Sequence, residues 1–235
     1  MAKIVILSGA GISAESGIST FRDSDGLWEE YDVREVCNFD SLEKNEQLTL
    51  DFYDKRRLEL KDKTPNHAHE VIAKLKKRYK DDLAIITQNV DNLFEKAGLA
   101  SKDVVHLHGF LTEVRCRECE RVYEIGYKKI GSFNNGLCKE CNGKLRPNIV
   151  FFGEAAPQYK LLNYHLNDCE VFIVIGTSGN VIPVNEMAQS AKISILNNLE
   201  ENFMINDENF TVVLYEKATT AIDKIAKEID NYCTK

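Results

Sequence analysis

The chain has 235 residues, 43% of them hydrophobic and 29% charged, enough for one good core with a small satellite module. Its formal net charge of −7 leaves no basic footprint for a nucleic-acid backbone, which excludes nucleic acid as a primary partner. The longest apolar stretches, near Val171 to Ile175 and Asn148 to Phe152, are too short to cross a bilayer, and Met1-Ala2-Lys3 enters an apolar run without a signal-peptide pattern, so a cytoplasmic protein with no membrane partner is expected.

The first run, Ile4-Val5-Ile6-Leu7, leads into Gly9-Ala10-Gly11-Ile12-Ser13-Ala14-Glu15. A buried strand ending in Gly-x-Gly-x-x-Ala has the form of a dinucleotide-binding turn. Gly9 permits the tight turn, Gly11 lets backbone approach a pyrophosphate, and Ala14 is small enough for the next helix to pack. N–H groups at that helix start would hold phosphate oxygens. A tight strand-to-helix turn with no ligand stands beside this reading.

Further along, strands are expected over Lys3 to Ser8, Asp82 to Thr87, Val104 to Leu107, Val171 to Ile175, Ile193 to Leu196 and Thr211 to Tyr215. Helical spacing marks His67 to Tyr79 and Thr220 to Tyr232. Alternating elements with nearly continuous apolar strands predict an α/β fold, a doubly wound Rossmann-like parallel sheet with ligands at the carboxyl ends of its strands. Two segments interrupt the rhythm. The expected division is residues 1–30, first part of the Rossmann domain; 31–65, a helical and loop insert over the cofactor site; 66–112, second part; 113–150, a small zinc-ribbon domain; and 151–235, third part.

In the second interruption, which is poor in strand signals, Cys116-x-x-Cys119 and Cys138-x-x-Cys141 are 18 residues apart. Two such turns can complete one tetrahedral thiolate site, and four thiolates leave no open position, so one structural zinc ion is expected. A redox pair is the alternative. Cys37, Cys169 and Cys233 have no such partners and read as packing or surface residues.

Three polar signatures follow strands on the ligand-facing side: Thr87-Gln88-Asn89-Val90-Asp91, His106-Leu107-His108-Gly109 and Gly176-Thr177-Ser178. Any one is usually plain solvent-facing structure. Together with the glycine turn they converge on one sheet edge.

With these residues in hand, the sequence resembles the sirtuins, the NAD-dependent protein deacylases. The matching pieces are Gly9 to Gly17, Thr20-Phe21-Arg22, Gln88-Asn89-Val90-Asp91, His108-Gly109, the four cysteines, Phe152-Gly153-Glu154, Gly176-Thr177-Ser178 and Asn198-Leu199-Glu200, in order over essentially the whole chain. Ser19 departs from the family, many members of which carry Pro there.

The resemblance implies that NAD is consumed as a co-substrate, the acyl group of an acyl-lysine ending on ADP-ribose as nicotinamide leaves. It implies that His108 is the base acting on a ribose hydroxyl, a role an imidazole with pKa near ~6.5 suits. Asn89 and Asp91 would position the ribose and the nicotinamide amide, and Gln88 and Arg22 the sugar and phosphate side. The turn residues Gly9, Ala10, Gly11, Ile12, Ser13, Ala14 and Glu15, with Thr20, Phe21, Trp28 and Val90, would border the cofactor. Gly176, Thr177 and Ser178 would meet the nucleotide, Asn198, Leu199 and Glu200 the adenosine ribose, and Ala218 the adenine region. Acylated-lysine proteins or peptides would add a strand beside Val150, Phe152, Gly153 and Glu154 and beside Gly179 to Val181, with loose sequence specificity because main-chain pairing tolerates many side chains.

Tyr53 and Arg56 stand three apart and share one face of a helix, where phenol and guanidinium suit a carboxylate. A solvated basic helix face, with Lys55, Arg57 and Lys61 nearby, is the plain alternative. Sirtuins that remove succinyl and malonyl groups carry Tyr-x-x-Arg in this region, so the resemblance implies preference for those acyl groups over acetyl. Rival classes are a hydride-transferring Rossmann oxidoreductase, a mono-ADP-ribosyltransferase and a non-catalytic zinc-ribbon binding module.

Overall fold

The computed structural model describes residues 2–19 and 33–234. Its strands are β1 (Ile4–Ser8), β2 (Leu83–Thr87), β3 (Val104–His106), β4 (Gly109–Cys116), β5 (Val122–Glu124), β6 (Leu145–Ile149), β7 (Val171–Ile175), β8 (Ile193–Asn198) and β9 (Val212–Tyr215). β1, β2 and β7 are buried at every position, so both faces are covered, which is why their sequences are continuous apolar runs. Six strands form one parallel sheet in the order β3-β2-β1-β7-β8-β9, with Ile6 opposite Ile85 on one side and Ile173 on the other.

Alternation along β1 splits the core in two. Ile4 and Ile6 join the helices His67–Tyr79 and Ala218–Cys233 through Ile72, Leu75, Ile222 and Ile225. Val5 and Leu7 join the opposite layer, with Leu162 of helix Tyr159–Leu166 and Val184 and Ala188 of helix Val184–Gln189. His67–Tyr79 starts where Asn66 Oδ1 accepts the N–H groups of Ala68 and His69, satisfying two of the donors a helix start leaves orphaned.

The expected strand-poor segment is instead a second, antiparallel sheet, β5-β4-β6. β4 runs from Gly109 through the expected boundary at 113, so the small module grows directly out of the strand end that carries His108. Its alternation is masked in sequence because Thr112 and Cys116 stand among the buried positions of β4 beside Leu111 and Val114.

The insert forms helix Glu46–Glu59, braced on this module. Arg57, fully buried, pairs with Asp54 and donates to the Leu111 carbonyl at 2.7 Å, and Asp54 accepts the Ile130 N–H at 3.0 Å. Glu46 pairs with Arg117 and Lys144. Phe52, Tyr53, Leu60, Leu111, Ile149 and Phe151 make the apolar seam between insert and module.

Candidate active site

The direction of strand addition reverses between β1 and β7, and the crevice beyond their carboxyl ends is where open α/β sheets bind ligands. The two turns there are stitched together, Gly9 N–H donating to the Ile175 carbonyl and Gly11 N–H to that of Gly176, each at 2.9 Å. A Cβ on Gly9 would lie 2.7 Å from the Gly176 oxygen, and one on Gly11 2.7 Å from Gly176 Cα. This revises the reason expected for Gly11: the approach that its missing Cβ permits here is to the neighbouring turn. Gly176 sits at φ +65°, a conformation glycine adopts freely.

A buried polar network lines the crevice. Ser13 Oγ donates to Asp91 Oδ2 at 2.9 Å and accepts from Asn89 Nδ2 at 3.0 Å, and Asp91 Oδ1 takes the Leu93 N–H at 3.0 Å. Burial raises the Asp91 pKa against those hydrogen bonds. His69 Nε2 lies 3.5 Å from Ser13 Oγ, and burial drives this imidazole down to about 4. Sequence reasoning passed over His69; its signal was a polar side chain at position 69 inside the buried stripe of Ala68, Ile72 and Leu75. Gln88 Nε2 donates to Thr177 Oγ1 at 2.9 Å, and Asn198 Nδ2 to the Thr177 carbonyl at 3.0 Å. Donors and acceptors from four strand ends are thus fixed before any ligand arrives.

Other expected contact residues sit around this rim. Ile12 is core, so only its main chain can meet a ligand, while Leu199 and Glu200 are exposed. Glu15 accepts from the N–H and hydroxyl of Thr219, placing a carboxylate at the positive start of helix Ala218–Cys233 beside Ala218. Ala10 and Ala14 begin and end the short helical turn after β1, and Val90 and Ser178 lie in the loops after β2 and β7. Thr20, Phe21, Arg22 and Trp28 fall outside the described residues.

His108 follows β3. Its Nδ1 is 3.0 Å from the Gln88 carbonyl, which can only accept, so Nδ1 carries the proton and Nε2 is the basic nitrogen. Nε2 lies 3.1 Å from the Tyr159 hydroxyl, a residue that no sequence pattern singled out. Burial lowers the His108 pKa against the pull of the Gln88 carbonyl. Gly109, at φ +92°, brings β4 against β6 so closely that a Cβ would meet the Asn148 carbonyl at 2.1 Å. Next to it, His106 bonds the Asn89 carbonyl and Glu95, each at 3.0 Å. Burial is the largest influence and opposes its charge, but Glu95, the Asn89 carbonyl and Asp91 together raise its pKa.

Tyr53 and Arg56 both lie on helix Glu46–Glu59 and are brought together. The Tyr53 ring is buried edge-on against Phe52 and Phe151, and its hydroxyl is 3.5 Å from Cys37 Sγ. The Arg56 guanidinium lies over Phe52 at 5.7 Å and interacts electrostatically with Tyr53, Cys37, Glu59 and Asp91, while burial lowers its pKa. Cys37, read from sequence as packing or surface, is buried at this spot.

The Val150–Glu154 segment is more occupied than expected. Val150 N–H bonds the His108 carbonyl at 2.9 Å, and Phe152 N–H bonds Cys37 while its carbonyl takes the Phe39 N–H. Glu154 pairs with Arg146 and accepts the Phe151 N–H at 2.8 Å. The amides of Val150 and Phe152 are thus engaged in the chain's own pairing. Phe152 and Gly153 line a groove of ≈ 470 Å³ with Asn38, Phe39 and Asp40.

The four cysteines converge: Sγ of Cys116, Cys119, Cys138 and Cys141 all lie within 4.8 Å of one another. Tetrahedral Zn–S bonds of ~2.3 Å place sulfurs ~3.8 Å apart, and the observed Cys116–Cys141 and Cys119–Cys138 separations of 3.4 and 3.6 Å fit. Main-chain N–H groups of Glu118 and Glu140 point at Cys116 and Cys138 Sγ, as thiolates require.

The Sir2 family profile matches residues 9–183. Among curated relatives, an NAD-dependent protein deacylase of Campylobacter jejuni is 52% identical over 233 residues, 99% of this chain and 97% of that one. Another bearing that name, from Helicobacter hepaticus, is 40% identical over 99% of both chains. Among solved structures, a mutant Sir2 homologue complexed with ADP-ribose superposes with TM-score 0.84 at 33% identity, covering 98% of this chain and 93% of that one. A Sir2 homologue–NAD complex superposes with TM-score 0.83 at 34% identity, covering 97% and 90%.

Proposed function

The chain belongs to the Sir2 family, and we propose that it is an NAD-dependent protein-lysine deacylase that moves the acyl group of acyl-lysine to ADP-ribose with release of nicotinamide. One observation carries the reading: His108, its tautomer fixed by Gln88, stands at the same crevice as the Ser13–Asn89–Asp91 network and the Gln88–Thr177 pair. In that arrangement Asn89, Asp91 and Ser13 orient the ribose and nicotinamide amide, and His108 Nε2 takes the proton of a ribose hydroxyl. The rim residues from Gly9 to Glu15, with Thr20, Phe21, Arg22, Trp28, Gln88 and Val90, border NAD on the phosphate and nicotinamide side. Gly176, Thr177, Ser178, Asn198, Leu199, Glu200 and Ala218 hold the nucleotide half.

Acylated-lysine proteins are the second substrate, docked along the segment of Val150, Phe152, Gly153 and Glu154 and beside Gly179 to Val181. Succinyl- and malonyl-lysine are preferred over acetyl-lysine: Tyr53 and Arg56 present a phenol and a guanidinium from one face of helix Glu46–Glu59, and both can donate to an acyl carboxylate that an acetyl group lacks. The cysteines hold a structural zinc ion that fixes the small module; the chemistry lies elsewhere, since four thiolates close the coordination sphere. Comparing His108→Ala with the parent on acyl-lysine peptides tests the reading: deacylation should vanish with the fold intact, and its persistence would overturn the assignment.

A further inference from the structure

His108 Nε2 has a single lone pair, and in this structure that lone pair faces a hydroxyl group: Tyr159 Oη lies 3.1 Å away, while Nδ1 is committed to Gln88. An Nδ1-protonated imidazole can only accept at Nε2, so Tyr159 is the donor. A base in this state cannot take a proton from a ribose hydroxyl until the phenol leaves. Tyr159 begins the helix Tyr159–Leu166 and lies five positions after Glu154, at the far end of the loop proposed to receive the acylated peptide. Its ring is half-buried and packs on the same core layer as Leu162. The loop proposed to receive the peptide runs directly into the element that carries the phenol.

We propose that Tyr159 is a positioning residue that gates His108, its hydroxyl holding Nε2 in the substrate-free enzyme and giving way to the ribose hydroxyl when both substrates are in place. The inference rests on the reading of His108 as the base. The phenol and the sugar hydroxyl present the same donor chemistry, so the imidazole keeps its tautomer and orientation through the exchange and needs no rearrangement at the moment of reaction. The gate also ties proton abstraction to peptide occupancy, which protects bound NAD from deprotonation when no acyl-lysine is present.

Tyr159→Phe removes the donor and keeps the ring, and the experiment compares it with the parent by imidazole ¹⁵N resonance in the free protein and with ADP-ribose plus an acyl-lysine peptide. In the free proteins the His108 Nε2 resonances should differ, and the apparent His108 pKa should be about 0.5 unit or more higher in Tyr159→Phe, because an O–H donor stabilises only the neutral ring. In the ternary complexes the two should coincide. Deacylation kcat/KM of the variant should equal or exceed the parent's by up to about fivefold, since the base no longer has to be released. Identical free-state resonances would show that the contact is not made in solution, and a difference persisting in the ternary complex would show that the phenol never leaves; either overturns the gate. The base reading is judged separately by His108→Ala: full deacylation by that variant sinks the base, whatever Tyr159→Phe shows.

Discussion

The carbonyl of Gln88 accepts the Nδ1–H of His108 at an N···O distance of 3.0 Å, and this one bond decides which imidazole nitrogen can act as a base. Only the neutral ring accepts a proton, and it predominates above the pKa, which burial sets below the ordinary 6.5. Deacylation kcat/KM should therefore be level above about pH 6.5 and fall only on the acid side. His108→Ala should lose at least about 10²-fold in deacylation while NAD binding and melting temperature stay near the parent's. A pH–rate profile and calorimetric NAD titration check both.

Arg56 and Tyr53 are expected to set acyl selectivity. Hydrogen bonds to a charged group contribute about 1.5–3 kcal/mol, so Arg56→Met should lower kcat/KM for succinyl- and malonyl-lysine by about 10- to 100-fold and change acetyl-lysine turnover by less than about threefold. Tyr53→Phe, which keeps the buried ring against Phe52 and Phe151, should show the same selectivity at smaller size. Steady-state assays on matched peptides decide it; equal losses on all three acyl groups would remove the pair from recognition.

The cysteine cluster should bind about one zinc per chain, measured by elemental analysis. Thiolate ligation couples metal binding to folding by on the order of 10 kcal/mol, so Cys138→Ala or chelation should unfold the small module. Because β4 and β6 pin the His108 carbonyl through Val150, deacylation should fall with the metal. Unchanged melting and activity after complete metal removal would contradict this.

His69 predicts an acid-side loss of stability. Its folded pKa of about 4 lies below the 6.5 of the unfolded chain, so between those values the unfolded state binds a proton that the native state refuses. Stability then falls as pH drops from about 6.5 to 4, by up to about 3 kcal/mol from this group. Urea unfolding across that range should show a shallower pH slope in His69→Gln. A slope identical to the parent's would mean that His69 titrates normally.

The parallel sheet was legible because its central strands β1, β2 and β7 are buried on both faces; all six expected runs are strands, with ends moved by at most two residues, as at Ile193–Asn198. Helix His67–Tyr79 matched its apolar spacing, and Tyr53 and Arg56 lie on a helix as their spacing suggested. β4 to β6 were not legible, since a small module held by cysteines and buried ion pairs shows little apolar alternation. The contacts that complete the site are long-range. Tyr159 meets His108 across 51 positions and His69 meets Ser13 across 56, and no local pattern encodes either. Gly11 was recognised for its type, yet the surface it approaches, Gly176, is set by the strand order.

Deacylation itself is read out by incubating the protein with NAD and matched succinyl-, malonyl- and acetyl-lysine peptides and following every product by mass spectrometry. Deacylated peptide, nicotinamide and acyl-ADP-ribose should appear in equal amounts, formed faster from the succinyl and malonyl peptides than from the acetyl peptide and not at all without NAD. Acyl-lysine left intact, or removed without consumption of NAD, would contradict NAD-dependent deacylation.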